Sequence, residues 1–251
     1  MLCQFLLDQC RSRNVRVHHP VTVTGVVSYA QDDTVTGLTI RSPDGSERMI
    51  PCDALLLTAG VWTPRVFAAL FPKATISLPI SHFSGHSIVL RSPYWTATEP
   101  PGHPITGCHA IFTTDSDANI SPGIFSRAGG DIYLAGLNTT SIPVPERASE
   151  VQPEPASIEV LTRVACKLLG DDQVDVLQMG FCHRPVSSTG APLLTRLTSK
   201  QTGIDLNGGV WVSTGHGPWG ISLSLGTGLV LAELLLRKSP SADVSRLGLG
   251  T

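Results

Sequence analysis

The chain has 251 residues, 41% hydrophobic and 15% charged, and its 18 Lys and Arg against 20 Asp and Glu give a formal charge of −2. That balance excludes a disordered chain, and without a basic surplus nothing points to nucleic acid or an anionic membrane as partner. The length suffices for one large domain or two interleaved smaller ones, each with a buried core.

Leu2, Phe5, Leu6 and Cys10 fall at helical spacing, so the chain opens on an amphipathic helix. An opening in mid-helix reads as a missing beginning. Val21 to Tyr29 reads as a strand, Asp32-Asp33 as a turn and Val35 to Ser42 as a second strand. Pro43-Asp44-Gly45 then turns the chain into Ser46 to Ile50. Ala54 to Thr58 is a continuous apolar run, as suits a strand buried on both faces. Pro64 starts a short helix that runs to Leu70.

From Ile76 to Gly136 the texture becomes short β-like runs, clearest at Ser87–Arg91, His109–Thr113 and Asp131–Ala135. A Pro/Glu-rich connection, Val144 to Pro155, leads to an amphipathic helix over Ala156–Leu169. Strands follow at Val174–Phe181 and Gly209–Ser213. After a glycine-rich loop comes an apolar helix, Ile221 to Leu236, and the tail from Ser239 is predicted to be disordered. The pattern implies two α/β segments enclosing a mostly antiparallel β middle, with a cleft where they join.

No C-x-x-C pair occurs among Cys3, Cys10, Cys52, Cys108, Cys166 and Cys182, which are expected to be reduced and mostly buried. The apolar run near Met1 is too short for a secretion signal, and no stretch of about 18 apolar residues suggests a membrane span. The expected location is therefore intracellular, in the cytoplasm. The sequons at Asn119 and Asn138 are read as chance matches.

Gly215-His216-Gly217-Pro218-Trp219-Gly220 matches G-x-G-x-x-G and joins a strand to a helix. A dinucleotide fingerprint also needs a further parallel strand with an acidic residue about 20 positions on. Arg237-Lys238-Ser239-Pro240 offers neither, which argues against a nicotinamide-linked dehydrogenase. The physical content of the loop survives: glycines admit close approach, and a helix N-terminus stabilises negative charge. His82 and His86 are four apart, but Pro79 and Gly85 oppose the helix that a metal pair needs, and no metal site is expected. No G-x-S-x-G elbow or P-loop lysine motif is present.

The segment Gly209 to Ile221 (GVWVSTGHGPWGI) resembles the C-terminal flavin loop of D-amino-acid-oxidase-like enzymes, the family that includes glycine and sarcosine oxidases. Several upstream stretches agree in order. His183-Arg184-Pro185 through Gly190-Ala191-Pro192 resembles the family's R-P…D-G-x-P stretch. Ala54 to Trp62 (ALLLTAGVW) resembles the strand and turn closing the FAD-binding core. Asp131 to Gly136 resembles a substrate-side strand, and Leu78-Pro79-Ile80 with Gly85-His86 resembles the entry to the substrate domain. The match is nearest to a fungal-type group of oxidoreductases.

The resemblance implies an α/β (α+β) chain, a partial FAD/NAD(P)-binding Rossmann-like domain with an inserted, mostly antiparallel β substrate domain. Residues 1–75 and 181–238 would form the FAD-binding part, 76–180 the substrate domain and 239–251 a tail. It implies FAD as cofactor, an amine or amino-acid substrate oxidised at its C–N bond, and molecular oxygen as acceptor. Cofactor contacts would come from Val23, Ala59, Gly60, Trp62, Arg184, Gly190, Gly215, His216, Gly217, Trp219, Gly220 and Ile221. His216, Arg184 and His86 would face the cleft as catalytic candidates. Two departures stand out. The family's N-terminal strand, G-x-G-x-x-G loop and acidic ribose-binding residue have no counterpart, and D-G-x-P reads Thr189-Gly190-Ala191-Pro192. The first leaves the pyrophosphate unheld, so a non-catalytic remnant or interaction module of the same fold is the alternative.

Overall fold

The computed structural model describes residues 2–28, 34–93, 95, 108–127, 129–170, 172 and 174–249. The expected Asp32-Asp33 turn lies outside them. Helix α1 (Leu2–Ser12) forms as its spacing predicts, but none of its residues is buried. Strands β1 (Thr22–Ser28), β2 (Val35–Arg41) and β3 (Glu47–Pro51) make an antiparallel meander in the order β1-β2-β3.

Strand β4 (Leu55–Leu57) ends in the turn Gly60–Trp62, from which α2 (Thr63–Leu70) starts with proline in its first turn. Thr63, Phe67 and Leu70 fall on one side of α2 and are its buried residues.

The middle of the chain is one five-stranded sheet. Strands β5 (Ile80–Arg91), β6 (Ala110–Phe112), β7 (Gly123–Ser126), β8 (Ile132–Thr139) and β9 (Asp175–Ser187) lie in the order β6-β7-β8-β5-β9, all antiparallel. β5 and β9 are much longer than their sequence patterns suggest, because His82, Ser84, His183 and Arg184 interrupt the apolar alternation without interrupting the ladder. Helix α3 (Pro155–Leu169) covers one face. Its Ile158, Leu161, Val164 and Ala165 pack with Ile88, Leu90, Leu134 and Ile132. A left-handed Gly170 (φ 65°) closes the helix, a conformation that only glycine adopts freely.

Strand β10 (Leu193–Leu197), the short helix α4 (Ser199–Thr202), strand β11 (Val210–Thr214) and helix α5 (Gly220–Leu235) complete the chain. β11 runs antiparallel to β10 and parallel to β4. All five of its residues are buried, since this sheet has a core on each face. Val210 and Val212 join Phe67, Leu70 and Leu57 on one side. Trp211 joins Leu194 and Leu231 of α5 on the other.

Several expectations need correction. The tail is ordered through residue 249: Val244 and Leu247 pack on the Trp211 cluster, and Glu233 Oε2 accepts from Ser241 N at 2.7 Å. Its polar sequence conceals three apolar anchors, the third being Leu249 against the first cluster. The cysteines are free but not buried, since Cys3, Cys10, Cys108 and Cys182 are exposed and Cys52 and Cys166 half-buried. A helix of 19 residues, Gly217–Leu235, is also long and apolar enough to cross a membrane, by length and composition alone. Its Gly, Ser and Thr residues break a strictly apolar run but bring no charge before Glu233.

Leu161 is fully buried in the α3 cluster, whereas Leu225 on α5 is 62% exposed. Leu161→Ala is expected to lower the unfolding free energy by about 2–5 kcal/mol and Leu225→Ala by about 0.5 or less. Urea midpoints at unchanged m-value measure both.

Candidate functional site

Three segments that are distant in sequence meet at the end of β11. The strand stops at Thr214, whose Oγ1 donates to Gly60 O at 2.9 Å and so ties the Ala59–Trp62 turn to the glycine loop. An isolated antiparallel bridge joins His216 to Val186, two residues beyond Arg184 on β9. Gly60, Gly215 and Gly217 have φ of 56°, 80° and 56°. At Gly60 and Gly217 a Cβ would meet nothing within 4 Å, whereas at Gly215 it would lie 3.0 Å from Ile80 Cδ1. Gly215 is therefore needed for close packing, and the other two glycines face open space.

Helix α5 starts here with no side chain capping it. A 3-10 turn, Gly217–Trp219, runs into it, so Trp219 N already donates to His216 O at 3.1 Å, and the partial positive charge lies at the N–H groups that open this turn. Trp219 is 66% and Ile221 79% exposed. The helix start is thus open to solvent on one side.

Arg184 projects from β9. Its Nη1 donates to Asn138 Oδ1 on β8 at 3.1 Å, and no carboxylate pairs with it among the described residues. Cross-strand pairing places Phe83 opposite Arg184, and Gly85 opposite both Cys182 and Asn138. Strand alternation puts these residues on the face of the sheet away from α3.

His86 lies on the other face and is 1% exposed. Its ring stacks on Phe181 at 4.3 Å, and its Nε2 accepts from Glu154 N at 3.1 Å. The expected cleft-facing role of His86 is therefore corrected: it lies beneath the connection leading into α3. Desolvation holds its pKa below the ordinary histidine value, opposed by the Glu154 carboxylate and a backbone bond to Leu137. His216 directs Nε2 to Thr227 Oγ1 on α5 at 3.1 Å, and burial lowers its pKa as well. Its ring lines a cavity of about 420 Å³ between α5 and the tail, among Leu194, Leu223, Val230 and Val244.

The other candidates hold varied positions. Trp62 donates its indole N–H to Pro145 O at 2.9 Å, and Arg65 donates to the same carbonyl. Trp62 thereby pins the Pro/Glu-rich connection. Ala59 precedes the Gly60–Trp62 turn. Gly190 (φ 75°) turns the chain after β9, beside a cavity of about 410 Å³ lined by Ser187, Thr189 and Pro192. Val23 pairs with Ile40 on the meander. Sequence reasoning missed Asn138 and the anchoring Thr214, because partners on other strands become visible only with the register. No group of three or more possible metal ligands occurs among the described residues.

The fold is that of flavin-dependent amino-acid oxidases. Glycine oxidase from Geobacillus kaustophilus superposes with a TM-score of 0.66 at 19% identity, over 94% of this chain and 53% of that one. L-amino acid deaminase from Proteus myxofaciens, solved with anthranilate, gives 0.64 at 12% identity over 97% and 58%. Iminodiacetate oxidase from Chelativorans sp. BNC1 gives 0.61 at 16% identity over 91% and 52%. "Putative oxidoreductase C1F5.03c" of Schizosaccharomyces pombe is 29% identical over 188 residues, 72% of this chain and 41% of that protein. Residues 1–234 match the DAO family of FAD-dependent oxidoreductases, and the chain belongs to that family. It spans about half the length of these relatives.

The lowered pKa of His86 has a sign. Histidine titrates near 6.5 when unfolded and lower in the fold, so the unfolded state binds more protons in between. Stability present above about pH 6.5 is lost as the pH falls toward the folded value. His86→Gln is expected to show a smaller loss of urea midpoint between pH 7.5 and 5.5 than the parent chain, and equal losses would refute this.

Proposed function

We propose that this chain provides the flavin-ring and substrate-facing part of an FAD-dependent oxidoreductase acting on the C–N bond of an amine or amino acid. The observation that carries this reading is the uncapped start of α5, which the Val186–His216 bridge ties to β9, the strand that carries Arg184. The residues fit the ring end of FAD, because open space lies over Gly60 and Gly217 and no side chain caps the helical turn that begins at Gly217. The chemistry FAD would supply at this site is hydride acceptance from the carbon bearing nitrogen, with molecular oxygen as the proposed final electron acceptor.

The chain's own residues would orient and polarise. Backbone N–H groups that open the Gly217–Trp219 turn would hold the pyrimidine edge of the ring, where negative charge accumulates on reduction. Arg184 would hold a substrate carboxylate by a charge-assisted pair, fixing the reacting carbon relative to the ring. His216 and His86 are bonded to Thr227 and to Glu154 N, so neither is assigned a proton-transfer role. A neutral amine needs no protein base to lose hydride.

The grip on the pyrophosphate is proposed to come from a further α/β unit. That reading is supported by the edge strand β4 and by the bare face of α5, where Ile221, Leu225 and Leu229 are exposed. A parallel pair such as β4–β11 is ordinarily covered and extended by such units. The same bare face supports a second reading, a non-catalytic interaction module of this fold, which turnover of any amine would defeat.

Titration with riboflavin and with FAD tests the assignment of the ring end. The two should bind this chain within about tenfold of each other, since the contacts proposed above all lie at the ring end. Gly217→Val, which forces a β-branched residue to positive φ, should weaken both. Binding of neither flavin, or indifference to Gly217→Val, would overturn the proposal.

A further inference from the structure

Resting on the reading of Arg184 as a carboxylate anchor, we infer that Asn138 and Gly85 are the positioning residues that keep this guanidinium flat, charged and available. Gly85 lies between them on β5, paired with Asn138 on one side and Cys182 on the other. A Cβ on Gly85 would fall 2.7 Å from Arg184 Nη1 and closer still to Asn138 Oδ1. The Arg184–Asn138 bond therefore passes directly over the glycine, and any side chain there would lift it from the sheet.

The choice of asparagine matters as much as the room. An arginine has five N–H donors and no acceptor, so something must orient it. Aspartate in place of Asn138 would orient the guanidinium equally well but cancel its charge. The neutral amide takes one donor, 3.1 Å away, and leaves the others and the full charge for an incoming anion. No acidic side chain competes among the described residues. Phe83, the cross-strand partner of Arg184, is 41% exposed and presents an apolar flank beside it. The ligand class that fits is a carboxylate carrying an apolar group.

Calorimetric titration of the full chain with 3-phenylpropionate and with its neutral amide, 3-phenylpropanamide, tests this. The acid should bind at least about tenfold more tightly than the amide. Asn138→Asp keeps an oxygen acceptor for Arg184 and should bring the two ligands to near-equal affinity. Asn138→Leu and Gly85→Ala should each weaken the acid about fivefold or more and leave the amide unchanged. A merely structural role for Asn138 predicts that Asn138→Asp keeps the acid preference, and that result would overturn the inference. Arg184→Met separates this from the underlying reading. No acid preference in the parent chain, or a preference that survives Arg184→Met, would defeat the carboxylate-anchor role itself.

Discussion

The antiparallel pairing of β5 with β9 is the constraint from which the site follows. Twelve residues of β5, Ile80 to Arg91, pair with Asp175–Ser187, with one irregularity between Val89 and Leu90. Because side chains alternate, this ladder sorts the polar residues onto two faces. Arg184, Phe83 and Gly85 go to the open face, and His86 with Phe181 goes to the α3 side. A slip of one residue would exchange Arg184 for His183 at the open face. The same ladder delivers Val186 to the bridge with His216, and so joins the substrate-facing sheet to the glycine loop.

Electrostatically the site is one-sided. Partial positive charge at the start of α5 lies along one edge of β9, and Arg184 on the same strand carries a full charge that no described carboxylate neutralises. Such charge is costly to bury without an anionic partner, which is consistent with the exposure of Trp219 and Ile221 in the chain alone. The three histidines with lowered pKa, His86, His183 and His216, add no competing cation near neutrality. Thr214 and Gly60 hold the two sides of the loop through a single side-chain bond.

Helix α5 departs from the usual division of a surface helix into an apolar and a polar face. Its inward residues Val230 and Leu231 are buried, yet Leu225 and Leu229 on the outside are equally apolar. Contiguous exposed apolar surface of this kind ordinarily marks a contact. The edge position of β4 and the uncovered α1 are two further exposed surfaces.

Much of this was readable in the residues themselves. Val210 to Thr214 followed by Gly215 and Gly217 could hardly be other than a buried strand turning sharply into a helix, because local apolarity and positive φ are properties of a few consecutive positions. The two α/β segments around an antiparallel middle were legible for the same reason. Strands β7 and β10, the full length of β5 and β9, and the anchoring of the tail through Val244, Leu247 and Leu249 were not, since their partners are far away along the chain. The fates of His86 and Arg184 make the distinction plainest. Their residue types marked both as candidates, but pairing across strands decided that one is buried against Phe181 and the other spans Gly85 to Asn138, because a side chain's face is set by register and not by its own identity.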